Sequence, residues 1–250
     1  MFKLLPIGGL GNRLRAILSY RALHGEIEVL WANSDAVHKA WLLDVFEPLT
    51  GVHFTYAGEG HAHDVKLPHD VMTSSPAPDA PGDWTKGFMD LRPKLPIQGQ
   101  IDHHVKSGTA DGYGDFIAVH ARRGDHIPLL QKRGYVTSNE ELLSWAIPYD
   151  RHLYLATDCL DTFLWFQERM RFVWGNKIPE RVHGYEKRPG TLADAVVDLY
   201  CCVAAKAFKG TWYSTFSEVI TIMRNNGVCE GGFSPERDMP SMLEHPKVPA

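Results

Sequence analysis

The sequence predicts an α/β protein built on parallel sheets, and three observations carry that prediction. An apolar run, Phe2 to Ile7, ends in Gly8-Gly9-Leu10-Gly11 and gives way to Leu14, Ile17, Leu18 and Ala22 at helical spacing. A second apolar run, Ile27 to Ala32, follows Gly25 within a few residues, as the second strand of a βαβ unit does. Beyond Gly114, apolar strand patterns alternate with helical ones again.

Taken in order, residues 2–24 read as strand, glycine turn and helix, and Ile27 to Ala32 as the next strand. From Gly58 to Gly114 the periodicity fades. Pro68, Pro76, Pro78, Pro81, Pro93 and Pro96 punctuate a stretch rich in His, Asp and Gly, which reads as loops with short elements ending at a domain boundary near residues 106–114. Phe116-Ile117-Ala118-Val119 is a buried strand, Glu140 to Ile147 a helix, His152 to Ala156 a strand and Asp161 to Arg171 a helix. Leu192, Val196, Leu199 and Val203 share one face of a helix over 192–208, and Ser217 to Asn226 is the last helix before a Pro-rich tail. No internal repeat emerges. The division is into residues 1–108 and 109–250.

Composition narrows the function classes. The 250 residues carry 26 Lys and Arg against 30 Asp and Glu, a net charge of −4, with 44% hydrophobic and 22% charged content. These are values of a soluble globular chain, not of a collagenous, low-complexity or disordered one. A mildly acidic chain lacks the global positive field of a general nucleic-acid binder. The N-terminus has no A-x-A-like cleavage site, and no stretch approaches about 18 uninterrupted apolar residues, so neither signal peptide nor membrane span is expected. Cys159, Cys201, Cys202 and Cys229 leave the first half empty, and an adjacent pair within a helix is a poor disulfide framework; free thiols in a reducing compartment are expected.

Chemistry concentrates at strand ends. Gly8-Gly9-Leu10-Gly11-Asn12-Arg13-Leu14-Arg15 places glycines where a strand turns into a helix. Two readings stay open there: an anion cradle of bare N–H groups, or a tight turn that needs positive φ. Leu14 occupies the third small position of a dinucleotide fingerprint, and no G-K-[ST] follows, so neither that fingerprint nor a P-loop is present. Val119-His120-Ala121-Arg122-Arg123-Gly124-Asp125 delivers an imidazole, two guanidiniums and a carboxylate to the carboxyl end of a strand, where open α/β sheets bind ligands. Arginine forks suit diphosphate oxygens, although an Arg–Asp pair in a solvated turn has the same composition. Leu153-Tyr154-Leu155-Ala156-Thr157-Asp158 repeats the pattern, with Asp158 either a helix cap or a ligand contact. Asp198 and Ser214-Thr215-Phe216-Ser217 form a third cluster, an N-cap or a phosphate-holding turn.

His120-Ala121-Arg122-Arg123-Gly124-Asp125 resembles the H-x-R-R-[GT]-D motif of the α1,2-, α1,6- and protein O-fucosyltransferase superfamily. Leu155-Ala156-Thr157-Asp158 and the run from Asp198 to Ser217 are similar to that superfamily's next two motifs, and Gly8-Gly9-Leu10-Gly11-Asn12 to the opening turn of the α1,2 branch. The motifs cover about a fifth of the chain. The resemblance implies a GT-B fold, two Rossmann-like domains facing across a cleft, the N-terminal one reduced and acceptor-facing, the C-terminal one binding a GDP-sugar. It implies an inverting transferase that moves L-fucose from GDP-fucose to a glycan hydroxyl without a metal. Arg122 would bind the diphosphate and offset charge on departing GDP, with Asp125 as the second catalytic residue. His120 and Asp198 would read the guanine and ribose end, and Ser214 and Thr215 would contact phosphate. Asn12 and Arg13 would approach sugar or phosphate from the facing domain. Gly9, Gly11, Arg123, Asp158, Phe216 and Ser217 complete the donor-binding set. Candidate bases besides Asp125 are Asp35, Asp44, Glu59 and Asp64.

The short chain without a membrane anchor implies a soluble cytoplasmic enzyme of bacterial or viral type. GDP-rhamnose or another GDP-sugar is the nearest alternative donor; a binding module without catalysis and an adhesion protein displaying Arg123-Gly124-Asp125 are rivals from other classes. His61, His63, His69, His103 and His104 are ligand types without the paired spacing of a zinc site, so no metal is expected. Of the seven tryptophans most belong to the core, with sugar stacking a role for some.

Overall fold

The computed structural model describes residues 1–33, 41–59, 65–109, 115–124, 126–132, 134, 136–176, 178 and 190–228. Asp35, His61, His63, Asp64, Asp125, Cys229 and the Pro-rich tail lie outside the described residues, as does the side chain of Glu59.

The first half folds as β1 (Phe2–Pro6), α1 (Leu10–His24), β2 (Ile27–Asn33), α2 (Leu42–Val45), β3 (Val52–Glu59) and β4 (Val71–Thr73). A 3₁₀ turn over Trp84–Asp90 leads into α3 (Leu95–Thr109). The second half is β5 (Phe116–Ala121), α4 (His126–Lys132), α5 (Asn139–Ala146), β6 (His152–Thr157), α6 (Leu160–Gln167), β7 (Val173–Trp174), α7 (Leu192–Ala204), β8 (Ala207–Gly210) and α8 (Thr215–Asn225).

All the strand pairs are parallel, in two sheets ordered β3-β2-β1-β4 and β7-β6-β5-β8. The two orders are the same pattern: the first strand of each half has the second on one side and the fourth on the other. The halves thus repeat one topology although their sequences show no repeat. The point where strand order reverses opens a crevice at the carboxyl ends, between β1 and β4 in one sheet and between β5 and β8 in the other.

Side-chain alternation on β5 shows how each sheet is covered. Phe116 and Ala118 face a core with Tyr154, Val196, Leu199 and Val219, while Ile117, Val119 and Ala121 face a second core with Leu142, Leu153 and Phe166. The first core continues without a break into Leu14, Ile17, Trp31 and Phe88 of the N-terminal half. Among the described residues no helix is long and apolar enough to cross a membrane, and Cys159, Cys201 and Cys202 are free.

Three sequence expectations change. The Gly58–Gly114 stretch contains a 15-residue helix, α3, because Pro96 stands in its first turn, where a missing N–H costs no hydrogen bond. α3 packs on α7 and β6, so it adheres to the second sheet although it lies mostly before residue 109. The helix expected over 192–208 stops at Ala204; Lys206 N–H donates to the Phe116 carbonyl and the chain enters β8 beside β5. Val52–Glu59, not recognised as a strand, pairs with β2.

Candidate functional site

The two crevices face each other through the first turns of α1 and α8. Gly9 caps α1 with its backbone alone, and no side chain occupies the first-turn N–H groups. A Cβ built on Gly11 would lie 2.8 Å from the Thr215 carbonyl oxygen and 3.0 Å from the Phe216 nitrogen, so the approach of α1 to α8 requires glycine there. Arg15 Nη1 adds an ion pair to Glu218 across the same seam, at 3.0 Å. Gly8 supplies the positive φ, +82°, that turns β1 into α1, and Asn12 lies directly over it. Gly11→Ala is expected to lower stability by about 1–3 kcal/mol through overpacking against backbone that cannot yield, read as a drop in melting temperature together with weakened nucleotide binding; an unchanged melting temperature would mean the seam opens freely.

Beneath this seam the end of β5 is stitched to the start of α8. His120 Nδ1 lies 2.7 Å from Ser217 Oγ, and its ring sits 4.9 Å from that of Phe216. Thr211, fully buried, is the keystone: its hydroxyl donates to the His120 carbonyl (2.8 Å) and accepts from Arg122 N–H (2.9 Å), while its own N–H donates to Ser217 Oγ (3.1 Å). Ser214 caps α8 by accepting from Ser217 N–H. Thr211→Val keeps the shape and removes the hydroxyl that both accepts from Arg122 N–H and donates to the His120 carbonyl. A loss of about 1–3 kcal/mol is expected, with donor affinity falling alongside it; a calorimetric scan and a binding titration of the one variant test both.

Arg122 Nη1 meets Asp158 Oδ2 at 2.9 Å, each side chain only 13% exposed. Asp158 Oδ1 accepts from Arg123 N–H at 2.7 Å, so this carboxylate holds the post-β5 turn and does not cap α6, whose N-cap is Cys159. Thr157 Oγ1 donates to the Ala121 carbonyl and ties the two strand ends together.

Asp198 lies on the sheet face that also carries His120, since Tyr154 is two residues from Ala156, the partner of His120 in register. Its Oδ1 accepts from Tyr154 Oη at 2.8 Å and from Asn176 Nδ2 at 2.9 Å. Burial pushes its carboxyl up to about 7, against the two hydrogen bonds that favour the anion, and the charge of Asp194 adds to the rise. Burial and then the charge of Asp198 push the Tyr154 phenol well above its ordinary value. His104 of α3, edge-on to Tyr154 at 5.5 Å, is pulled below its ordinary value by burial and by His103.

The structure therefore brings Gly9, Gly11, Thr215 and Phe216 together at the seam, with His120, Arg122, Asp158 and Ser214 beneath it. It assigns other work to several expected ligands. Arg13 is fully buried, donates to the Gly8 and Ala32 carbonyls and lies 4.5 Å over Trp31; it fixes the glycine turn and cannot approach a sugar or phosphate. Arg123 donates to the Thr137 carbonyl and Asn139 Oδ1, burial pulling its guanidinium below the ordinary value, so it anchors the loop rather than offering itself to a phosphate. Ser217, fully buried, acts through His120. Asp44, exposed at the start of α2, accepts from Trp41 N–H. Thr211, Thr137, Tyr154 and Asn176 were not foreseen. The helix expected over 192–208 hid β8 and with it Thr211, and the two-residue β7 left no signal for Asn176. Among the described residues no group of three or more His, Cys, Asp or Glu could hold a metal.

No protein-family model and no curated protein matches the chain. Solved structures match it in fold. A structure of fucosyltransferase NodZ from Bradyrhizobium is 14% identical, the match covering 88% of this chain and 92% of that one with a TM-score of 0.55. A NodZ α-1,6-fucosyltransferase structure soaked with GDP-fucose gives 14% identity, 88% and 92% coverage and a TM-score of 0.57. POFUT1 in complex with GDP-fucose gives 12% identity, 90% and 94% coverage and a TM-score of 0.58. The likeness expected from the motifs is thus present in the architecture: an α/β chain of two parallel-sheet halves of GT-B type, as in these fucosyltransferases.

Proposed function

We propose that this chain is an inverting glycosyltransferase that moves L-fucose from GDP-fucose to a hydroxyl of a glycan. The observation that carries the proposal is the meeting of α1 and α8 N-termini over the Arg122–Asp158 pair and His120, in a fold shared with two fucosyltransferases whose structures contain GDP-fucose. First-turn N–H groups and a guanidinium are the donors that a departing diphosphate needs, and oriented in advance they stabilise its growing charge without reorganisation.

In the reaction the acceptor oxygen forms a bond to the anomeric carbon as the bond to the β-phosphate oxygen breaks, so a β-linked donor gives an α-linked product. The bonding electrons leave on GDP beside Arg122, whose fork Asp158 keeps in place. His120, held by Ser217, and Asp198 serve the nucleoside end; Ser214 and Thr215 with the α8 amides serve the phosphates. The hydroxyl proton passes to a carboxylate, for which Asp125 in the motif and Asp35, Asp44, Glu59 and Asp64 in the acceptor half are the candidates. Residues 1–108 meet the acceptor and 109–250 the donor. Charge offset by Arg122 and the two helix ends makes the reaction independent of a metal.

Thermal-shift titration with GDP, UDP, CDP and ADP in EDTA, followed by GDP-fucose and GDP-rhamnose with glycan acceptors, tests the proposal. A GDP-selective rise in melting temperature and consumption of GDP-fucose are expected. No shift with any nucleotide would remove the donor site, and consumption of GDP-rhamnose alone would replace the sugar.

A further inference from the structure

The carboxylate of Asp198 is held from one side only. Both donors that reach it, Tyr154 Oη at 2.8 Å and Asn176 Nδ2 at 2.9 Å, converge on Oδ1 and use its two lone pairs. Oδ2 has no hydrogen-bond partner among the described residues, and the residue remains partly open to solvent. The two donors are themselves fixed. Tyr154 is fully buried with its ring edge-on to Trp174 (5.6 Å, 82°) and His104 (5.5 Å, 80°). Asn176 donates through the same amide nitrogen to the Asp194 carbonyl at 2.9 Å, which pins it to α7 one turn before Asp198. Elements as distant in sequence as β6, the segment after β7 and α7 thus agree on one orientation of one carboxylate.

A carboxylate fixed by protein donors on one oxygen and turned to solvent with the other can take a ligand N–H there without breaking a protein bond. Here one is saturated and the other kept available, at the energetic cost that the raised pKa reflects. An open carboxylate oxygen can only accept. Among nucleobases guanine offers the matching edge, N1–H beside an exocyclic N2 amino group; adenine places an acceptor there, and uracil flanks its N–H with two carbonyls.

Resting on the donor reading above, we propose that Tyr154 and Asn176 are positioning residues that hold Asp198 with Oδ2 presented to the N–H edge of the donor's base, and so set the preference of the site for guanine nucleotides. Neither residue touches the nucleotide; both act through Asp198. Because the anion is the accepting form, nucleotide binding draws a proton off Asp198 below neutral pH. The titratable neighbours are Asp194 and Cys202 on α7 and Tyr154 on β6, with His104 of α3 against Tyr154; of the elements packed on α7, β5 carries His120, α8 Arg224, α3 His103 and α2 Asp44. Tyr154 and Cys202 are pushed up by burial, away from this range. His104 is pushed down from its ordinary 6.5, so Asp198→Asn serves as the control that separates its titration from that of Asp198.

The test is calorimetric titration of the full chain with GDP, IDP and ADP from pH 5.5 to 8.5, for wild type, Tyr154→Phe, Asn176→Ser and Asp198→Asn. Wild type is expected to prefer GDP to ADP, with GDP affinity rising about tenfold per pH unit below 7 and levelling above it. Loss of one charge-assisted donor lowers the GDP-to-ADP ratio by about tenfold or more in Tyr154→Phe and Asn176→Ser and moves the pH midpoint upward, because the anion has lost a stabilising bond. Asp198→Asn abolishes the pH dependence. IDP, which keeps N1–H and lacks the amino group, falls between GDP and ADP. Tyr154→Phe retains the ring that packs on Trp174 and His104, and Asn176→Ser is an independent second variant should that one fold poorly. Wild-type selectivity and midpoint in both variants overturn the proposal and leave the donor reading standing. Wild type without any nucleotide preference overturns the donor reading, and the proposal with it.

Discussion

Arg122→Lys is expected to lower fucosyl transfer by about 10²–10³-fold, the size of effect seen when one preorganised donor to a developing anion is removed, while the melting temperature stays close to that of wild type. Lysine keeps a positive charge beside Asp158, so the ion pair at 2.9 Å survives in weaker form. It loses the planar fork that can hold Asp158 and a phosphate oxygen together. Arg122→Ala behaves differently. It leaves Asp158 13% exposed without its ion-pair partner and facing only the guanidinium of Arg123, so a stability loss of about 1–3 kcal/mol accompanies the loss of transfer, less than for a fully buried pair because water still reaches both groups. Adding Asp158→Asn to Arg122→Ala removes the orphaned charge and restores most of the melting temperature without restoring transfer. Initial rates and thermal melts of these three variants make the check; transfer at the wild-type rate by Arg122→Lys would end the assignment of Arg122 to the leaving group.

Asp198→Asn is expected to make the protein more stable than wild type at pH 8 and to flatten its stability against pH. Burial pushes the Asp198 carboxyl up to about 7 in the folded chain, against 3.8 for the free side chain, so between these limits the folded state holds a proton that the unfolded state has released. The associated stability is fully present below pH 4 and is lost as pH rises to 7, because the folded chain must then accommodate a buried anion. The loss is on the order of a few kcal/mol. Asparagine keeps an acceptor for Tyr154 and Asn176 and carries no charge, so the variant escapes it. Melts from pH 4.5 to 8.5 give the comparison: curves that separate steadily up to about pH 7 and then run parallel are expected, and curves parallel over the whole range would show that Asp198 is ionised throughout.

The strand ends were legible because parallel strands buried on both faces are continuous apolar runs, and Phe116–Val119 and Leu153–Ala156 are such runs. The polar residues that follow them mark the candidate site in the sequence. What stayed hidden was the direction of each side chain. Arg13 and Arg122 look alike in sequence, each flanking a glycine turn, yet Arg13 is drawn inward by the Gly8 and Ala32 carbonyls and Trp31, whereas Arg122 remains at the rim with Asp158. Thr211 and Ser217 were equally opaque, since their hydroxyls serve the far end of β5, 91 and 97 residues away. α3 was concealed by Pro96, which does no harm in a first turn, and by Gly99, whose cost of about 1 kcal/mol the packing of α3 on α7 outweighs.

The contact of Gly11 with Thr215 has an electrical meaning as well as a steric one. Each helix N-terminus carries roughly half a positive charge, and the packing of the two halves sets the first turns of α1 and α8 against each other. In the empty protein like poles are held in contact by the packing around them. On the proposed function, a diphosphate held beside the joint would turn that mutual repulsion into two attractions and act as mortar between the two halves of the chain as much as cargo, its departure as GDP loosening the joint.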